Sequence, residues 1–341
     1  MDVWLDLTNA PHVHYFSQLI KKFEKEGIDY LITTRKSQNL EELLNIYGFE
    51  YICVGKHGES LKDKLIYSAE RIIELTKIID KEKPKVAIAK HSVELPRVAF
   101  GLSIPVVFIV DNEHAEAQNK LTLPLTDDII IPIGTKKSKL KKQGGRNFTT
   151  FNGTCEVANV NSRLKGILPI DKDILKKLGI DNDNPTIVMR SRPNSSYCNG
   201  KKDIIPKIIE KLREKIDCNI VAFPRDEKQR KKYISLNAIV PNTIDAISLL
   251  YFADAMVGAG GTMNREAAVL GIPTVSCYPK ELLGVDKYLI KMGKMTHMKN
   301  VNRIVNYVIE NLGTKNKKNK NIELEDPTDL MFEKVCSYLK R

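Results

Sequence analysis

The sequence predicts an α/β protein made of two Rossmann-like, doubly wound domains. Three observations predict it. Short β-branched runs alternate with helix-length segments, the alternation breaks once near residue 140, and glycine-bearing turns separate several of the runs. Such alternation favours a parallel sheet with right-handed crossovers and helices on both faces. At 341 residues there is room for two such domains, since one usually takes about 100 to 200 residues.

The runs at 3–7, 30–33, 51–54, 86–89, 106–109 and 129–133 read as the strands of the first domain. Its first helix carries a buried stripe at Val13, Phe16, Ile20 and Phe23, and Gly27 ends it. Thr135 to Arg146 (T-K-K-S-K-L-K-K-Q-G-G-R) then reads as a basic interruption, and the extended piece from Phe148 to Val160 as the passage into the second domain. Alternation resumes with strands at 186–189, 219–222, 238–240, 255–257 and 274–276. Between the first two, Ile205, Ile208, Ile209, Leu212 and Ile216 form one helix face. A helix around 301–311, a lysine-asparagine linker at 315–321 and a last helix begun by Asp326-Pro327-Thr328 complete the chain. The expected domains are residues 1–147, 148–312, and a tail at 313–341.

Composition bounds the function. Hydrophobic content of 42% and charged content of 28% belong to a globular protein. Six cysteines without a C-x-x-C pair argue against a zinc site or a disulfide framework and for a reducing cytosol. Nothing near Met1 resembles a signal peptide and no apolar run approaches the roughly 20 residues that span a bilayer. A net charge of +12 suits anionic lipid, nucleic acid, a diphosphate substrate or a lysine-rich proteome.

The most informative stretch is Gly258 to Ser276, G-A-G-G-T-M-N-R-E-A-A-V-L-G-I-P-T-V-S. It reads as strand, tight turn, helix, turn, strand. Glycines 258, 260 and 261 let backbone N–H groups approach a ligand, and a helix that opens there points its positive end at an anion. Glu266 lies one to two turns along, where a carboxylate could accept from the hydroxyls of a sugar. The spacing fits neither G-x-G-x-x-G nor G-x-x-x-x-G-K-[ST]; a plain strand-to-helix turn is the alternative.

This segment resembles the nucleotide-sugar motif in the second domain of GT-B glycosyltransferases and of non-hydrolysing UDP-N-acetylglucosamine 2-epimerases. It is similar above all to a little-characterised archaeal and bacterial family of epimerase-like or MurG-like proteins. The likeness extends to D-L-T-N-A-P-H-V at the start, G-K-H-G-E-S-L at 55–61 and F-P-R-D-E-K-Q-R at 223–230. It implies a GT-B arrangement with an interdomain cleft, a nucleotide-sugar ligand, and a terminal helix that crosses back onto the first domain.

Within that frame, His12 in the first turn is a candidate general base, with Asn9 and Pro11 shaping the turn and Asn9 counted with the ligand-holding residues. A helix cap is its plainer role. A His12-x-His14 metal pair would need further ligands and a barrel, so no metal is expected. Asp111 and Glu113 follow a buried run at a strand's carboxyl end, where the resembling epimerases supply a carboxylate, and either would hold the acceptor or act as base; helix-opening acids are the alternative. His91 and Glu94 form a weaker set on the same edge.

In the second domain Arg190 and Arg192, with the following Asn194, Ser195 and Ser196, and then Arg225, are equipment for a diphosphate. Gly260, Gly261, Thr262, Asn264 and Glu266 complete the donor site, with Glu266 on the ribose. The epimerases' histidine, arginine and glutamate signature is missing after Arg192, and the motif runs one residue longer before Glu266. The missing signature puts epimerisation in doubt, and the longer motif bears on whether the ribose contact carries over to Glu266; the expected activity is a metal-independent transferase using a UDP-sugar, in the first instance a UDP-N-acetylhexosamine, with no cofactor beyond this donor substrate. An epimerase and a non-catalytic nucleotide-sugar- or RNA-binding protein are the alternatives. Lys136, Lys137, Lys139, Lys141 and Lys142 are the candidate contact with an anionic membrane or lipid-linked acceptor.

Overall fold

The computed structural model describes residues 1–180, 183–192, 203–242, 244–314 and 323–340. It divides into two units: Met1–Leu168 with Glu325–Arg341, and Pro169–Leu324.

In the first unit seven parallel strands are described: β1 (Val3–Leu7), β2 (Tyr30–Lys36), β3 (Ile52–Lys56), β4 (Val86–Lys90), β5 (Val106–Ile109), β6 (Asp128–Pro132) and β7 (Phe148–Phe151), ordered β3-β2-β1-β4-β5-β6-β7. Crossovers run through α1 (Ala10–Glu26), α2 (Gln38–Ile46), α3 (Leu61–Glu82), α4 (Glu94–Gly101), α5 (Glu116–Thr122) and α6 (Lys137–Lys142), and α7 (Glu156–Leu164) follows β7. The period of two along β1 divides the core. Val3, Leu5 and Leu7 meet Phe16, Leu19, Ile20 and Phe23 of α1 on one face, while Trp4 lies on the other with Leu75 and Ile79 of α3. Burying each large apolar side chain of α1 contributes about 1.5 to 3 kcal/mol.

Two sequence expectations change here. The stretch 135–146 continues the winding, because α6 anchors itself with the buried Leu140 and leads into β7, which pairs Ile129 with Phe148 on the sheet edge. A six-residue edge crossover buries one leucine and leaves its lysines outside, so it shows no helical period. With β7 paired and α7 packed against α1, residues 148–168 belong to the first unit, and the division falls after Leu168.

The second unit holds β8 (Thr186–Arg190), β9 (Asn219–Phe223), β10 (Ala255–Gly258), β11 (Thr274–Ser276) and β12 (Thr296–His297), ordered β12-β11-β10-β8-β9. Its helices are α8 (Ile174–Lys177), α9 (Ile205–Arg213), α10 (Glu227–Ile234), α11 (Ala246–Phe252), α12 (Thr262–Val269), α13 (Gly284–Lys291) and α14 (Val301–Asn311). The stripe of α9 is fully buried at Ile205, Ile208, Ile209 and Leu212; Ile216 lies beyond the helix end. The expected strand at 238–240 reduces to one bridge from Ile239 to Val221. Asn237 enters it with φ of 57°, and Pro241 has no N–H to extend a ladder.

The chain returns to the first unit as α15 (Thr328–Leu339). Asp326 accepts from the Thr328 amide and hydroxyl at 3.0 and 2.7 Å, which fixes the helix start. Met331 and Val335 are fully buried in the β1–α1 core. The Lys315–Asn321 linker lies outside the described residues.

Candidate functional site

Both sheets reverse their strand order once. In the first unit the chain winds outward from β1 to β3 and resumes at β4, on β1's other side; in the second it reverses between β8 and β10. Carboxyl ends of strands at such a reversal open a crevice for ligands.

On the first unit this edge carries one ionic cluster. Lys90, the last residue of β4, donates to Asp111 Oδ2 at 2.5 Å, and His91 Nε2 lies 2.9 Å from Asp111 Oδ1. Lys90 is buried with its ammonium 5.1 Å from the Tyr15 ring centre. His12 is buried on the first turn of α1, and its Nδ1 accepts from the Thr8 amide at 3.3 Å. Burial, then the charges of Lys90 and His91, push its pKa down to about 3. His12 is therefore neutral, with its proton on Nε2 while Nδ1 accepts from Thr8. Glu113 is buried, and its Oε1 lies 4.0 Å from His114 Nε2. Asn9 does not cap α1; its amide oxygen accepts from Arg35 at 3.0 Å, and Arg35 reaches His57 Nδ1 at 3.0 Å.

His12 also makes folding pH-dependent. The unfolded imidazole takes a proton near pH 6.5 and the folded one near 3, so stability is complete above about 6.5 and declines as pH falls through that window. From pH 7 to 5 the loss from this group is about 2 kcal/mol. Urea unfolding at both pH values is expected to show that decrement in the wild type and a smaller one in His12→Asn.

Beneath the cluster lies a buried network on the Trp4 face of β1. Asp6 takes two bonds from Arg71 of α3, at 2.6 and 3.0 Å, and further ones from Ser92 at 2.5 Å and Thr33 at 2.7 Å. Arg71 also reaches Glu94 at 3.2 Å and the Val54 carbonyl at 2.8 Å. This explains G-K-H-G-E-S-L. A Cβ on Gly55 would press the Arg71 stem at 3.1 Å, one on Gly58 would strike the Lys64 amide at 2.3 Å, and Ser60 with Asp63 caps α3.

On the second unit the edge is cationic. A Cβ built on Gly260 would lie 3.6 Å from Arg225 and 3.7 Å from Arg190. Both side chains thus flank the glycine turn. Among the described residues Arg190 donates only to the Pro224 carbonyl, at 3.4 Å, and neither arginine is in an ion pair. Burial, then the charge of Arg225, lowers the Arg190 pKa to about 10. Thr262 opens α12 on a helix start that no side chain caps. Asn264 is turned inward, donating to the Gly258 carbonyl at 2.9 Å, and so holds the turn. A Cβ on Gly258 would lie 2.1 Å from its oxygen. Glu266 is buried, and Arg265 pairs with Asp286 at 2.9 Å. Arg192 is half-buried, and Asn194, Ser195 and Ser196 lie outside the described residues.

Asp6, Arg71 and Lys90 escaped the sequence reading. A charge inside the apolar run V-W-L-D-L, and another closing V-A-I-A-K, were the available signals. Of the basic segment, Lys137, Lys141 and Lys142 are exposed, with Lys136 and Lys139 half-buried. Among the described residues no group of three or more His, Cys, Asp or Glu could hold a metal ion, and no helix is long and apolar enough to cross a membrane.

Two parallel-sheet α/β units of this order match the GT-B fold seen in epimerases and glycosyltransferases. The UDP-GlcNAc 2-epimerase of Neisseria meningitidis bound to UDP-GlcNAc superposes with a TM-score of 0.76 at 16% identity, covering 99% of this chain and 100% of that one. That of Methanocaldococcus jannaschii in complex with UDP-GlcNAc and UDP gives 0.75 at 16%, with 99% and 100% covered. The spinosyn forosaminyltransferase SpnP gives 0.61 at 13%, with 98% and 99% covered. The chain belongs to the family described as Protein of unknown function (DUF354), which it matches over residues 1–340. It is 72% identical over 341 residues to the Uncharacterized protein MJ0665 of Methanocaldococcus jannaschii, covering 100% of this chain and 99% of that protein.

Proposed function

We propose that the second unit binds the diphosphate of a UDP-sugar, in the first instance a UDP-N-acetylhexosamine, and that the protein transfers its sugar to a hydroxyl acceptor without a metal. The observation that carries this is the pair Arg190 and Arg225 beside Gly260, two like charges with no acid between them among the described residues. Gathering like charges costs free energy that an anion returns. In the reaction the acceptor oxygen bonds to the sugar's anomeric carbon while the bond to the diphosphate breaks, its electron pair leaving on UDP. The two guanidiniums, with the amides of Gly261 and Thr262, neutralise that charge as it develops. Glu266 holds the ribose, Arg192 adds charge beyond the turn, and Asn264 keeps the turn in shape. On the first unit, His12 acts as a neutral donor and Asn9 orients Arg35.

Epimerisation is the second reading, favoured by the names of the structural neighbours. It requires a carboxylate free to take a proton or a cation. Asp111 is engaged by Lys90 and His91, and Glu113 is buried, which supports transfer over epimerisation.

Calorimetry with UDP and UDP-N-acetylglucosamine, with and without chelator, tests the proposal. Micromolar affinity unchanged by chelator and reduced at least about tenfold in Glu266→Ala is expected, the ratio lost with one charged hydrogen bond. Absence of binding to either nucleotide would overturn it. An epimer formed from UDP-N-acetylglucosamine alone would select the second reading.

A further inference from the structure

We propose that the carboxyl edge of β1, β2 and β3 on the first unit carries an anion site of its own, made by Arg35, Asn9 and His57 and suited to the phosphate of a phosphate monoester. It is separate from the Arg190 and Arg225 edge and does not depend on the nucleotide-sugar reading. Two sequence segments meet there. D-L-T-N-A-P-H-V supplies Asn9 at the start of α1, and G-K-H-G-E-S-L supplies His57 between β3 and α3. Arg35, near the end of β2, joins them by donating to Asn9 Oδ1 and His57 Nδ1, each at 3.0 Å.

These two bonds decide what the site accepts. A guanidinium only donates, so each neighbour spends its acceptor atom on it. What remains is N–H: the amide NH₂ of Asn9 and, because Nδ1 is the accepting nitrogen, a proton on Nε2 of His57. Loss of hydration, then the charges of Arg35 and Lys64, hold the His57 pKa below its ordinary value, so the ring is neutral at pH 7. Among the described residues neither side chain bonds to anything else, and the guanidinium keeps further donors. Three side chains thus offer donors and no acceptor, the pattern an anion needs.

The charge is uncompensated as well. Asp6 and Glu94, the acids whose fields reach Arg35, are both paired with Arg71, and among the described residues Arg35 is in no ion pair. Arg35 is half-buried, and burial holds its pKa below the ordinary value despite those fields. The start of α1 adds little, since Pro11 has no N–H and the His12 amide is bonded to the Asn9 carbonyl at 2.9 Å. Close packing of Gly55 on Arg71 and of Gly58 on α3 fixes the backbone on either side of His57. A guanidinium edge pairs with two oxygens of one anion. The donors of Asn9 and His57 call for a third oxygen, which a phosphate monoester has and a carboxylate lacks.

Calorimetry with glycerol 3-phosphate and inorganic phosphate is performed on the full chain with Arg190 and Arg225 both exchanged for glutamine, so that the second-unit edge does not contribute. This protein is expected to bind glycerol 3-phosphate saturably at a single site, with inorganic phosphate competing and acetate not. Adding Arg35→Gln is expected to weaken binding by about tenfold or more, the ratio lost with one charged hydrogen bond. Adding Asn9→Asp instead sets a carboxylate against Arg35 and is expected to weaken binding at least as much. Urea unfolding of that variant should show a protein as stable as before, because an acid at a helix start is favourable; loss of the site is thereby separated from loss of the fold. No saturable binding, binding unchanged in either variant, or acetate competing as well as inorganic phosphate overturns the assignment. A wild type that fails to bind UDP removes the reading above and leaves this one standing, whereas UDP binding without a phosphate site on the first unit removes this one alone.

Discussion

Exchange of both Arg190 and Arg225 for glutamine is expected to weaken UDP binding by about 10²- to 10⁴-fold while leaving the unliganded protein as stable as before, or more stable. Hydrogen bonds to charged groups contribute about 1.5 to 3 kcal/mol each, about 10- to 150-fold in affinity. The stability arm follows from the surroundings of the two side chains. They flank Gly260 together and neither has an acidic partner among the described residues, so in the free protein they repel each other. A structural arginine costs stability when removed; one kept for an absent anion does not. Calorimetry and urea unfolding on each single variant and the double variant check both arms. A double variant that binds UDP like the wild type would transfer attention from this edge to the rest of the basic surface.

Arg71→Met is expected to destabilise the first unit by about 3 to 5 kcal/mol, because it leaves charge buried without a partner. Asp6 and Arg71 are both almost wholly inaccessible, and Glu94 is the third member of the network. Burial raises the Asp6 carboxyl pKa, but the charge and hydrogen bonds of Arg71, with Ser92 and Thr33, more than offset it and hold it below the usual 3.8. This contribution is complete above that pH and is lost as pH falls through the depressed folded value. Exchanging all three members for apolar residues of similar volume is expected to recover much of the loss, since a buried ionic network and a packed apolar one are often close in free energy. Urea unfolding at pH 7 gives the first figure, and a single variant within 1 kcal/mol of the wild type would contradict it.

The sequence by itself determined the winding. Val3–Leu7, Val106–Ile109 and Thr274–Ser276 occur as strands at the predicted residues, and Val301–Asn311 as a helix, because each is a local apolar pattern bounded by turn residues. The strand, turn and helix at 258–269 were legible for the same reason: three glycines within four residues mark a tight turn between two apolar patterns. What only the tertiary structure decided was which polar groups meet. Asp6 and Arg71 are 65 residues apart and Lys90 and Asp111 are 21 apart; no periodicity relates them, and only the packing of strands brings each pair together. Burial then set the electrostatics, lowering the His12 pKa to about 3, and packing directs the Asp111 carboxylate toward Lys90 and His91. The edge strand β7 and its six-residue crossover belong on the same side: their pairing energy comes from β6, a neighbour in space, and leaves little mark on their own residues.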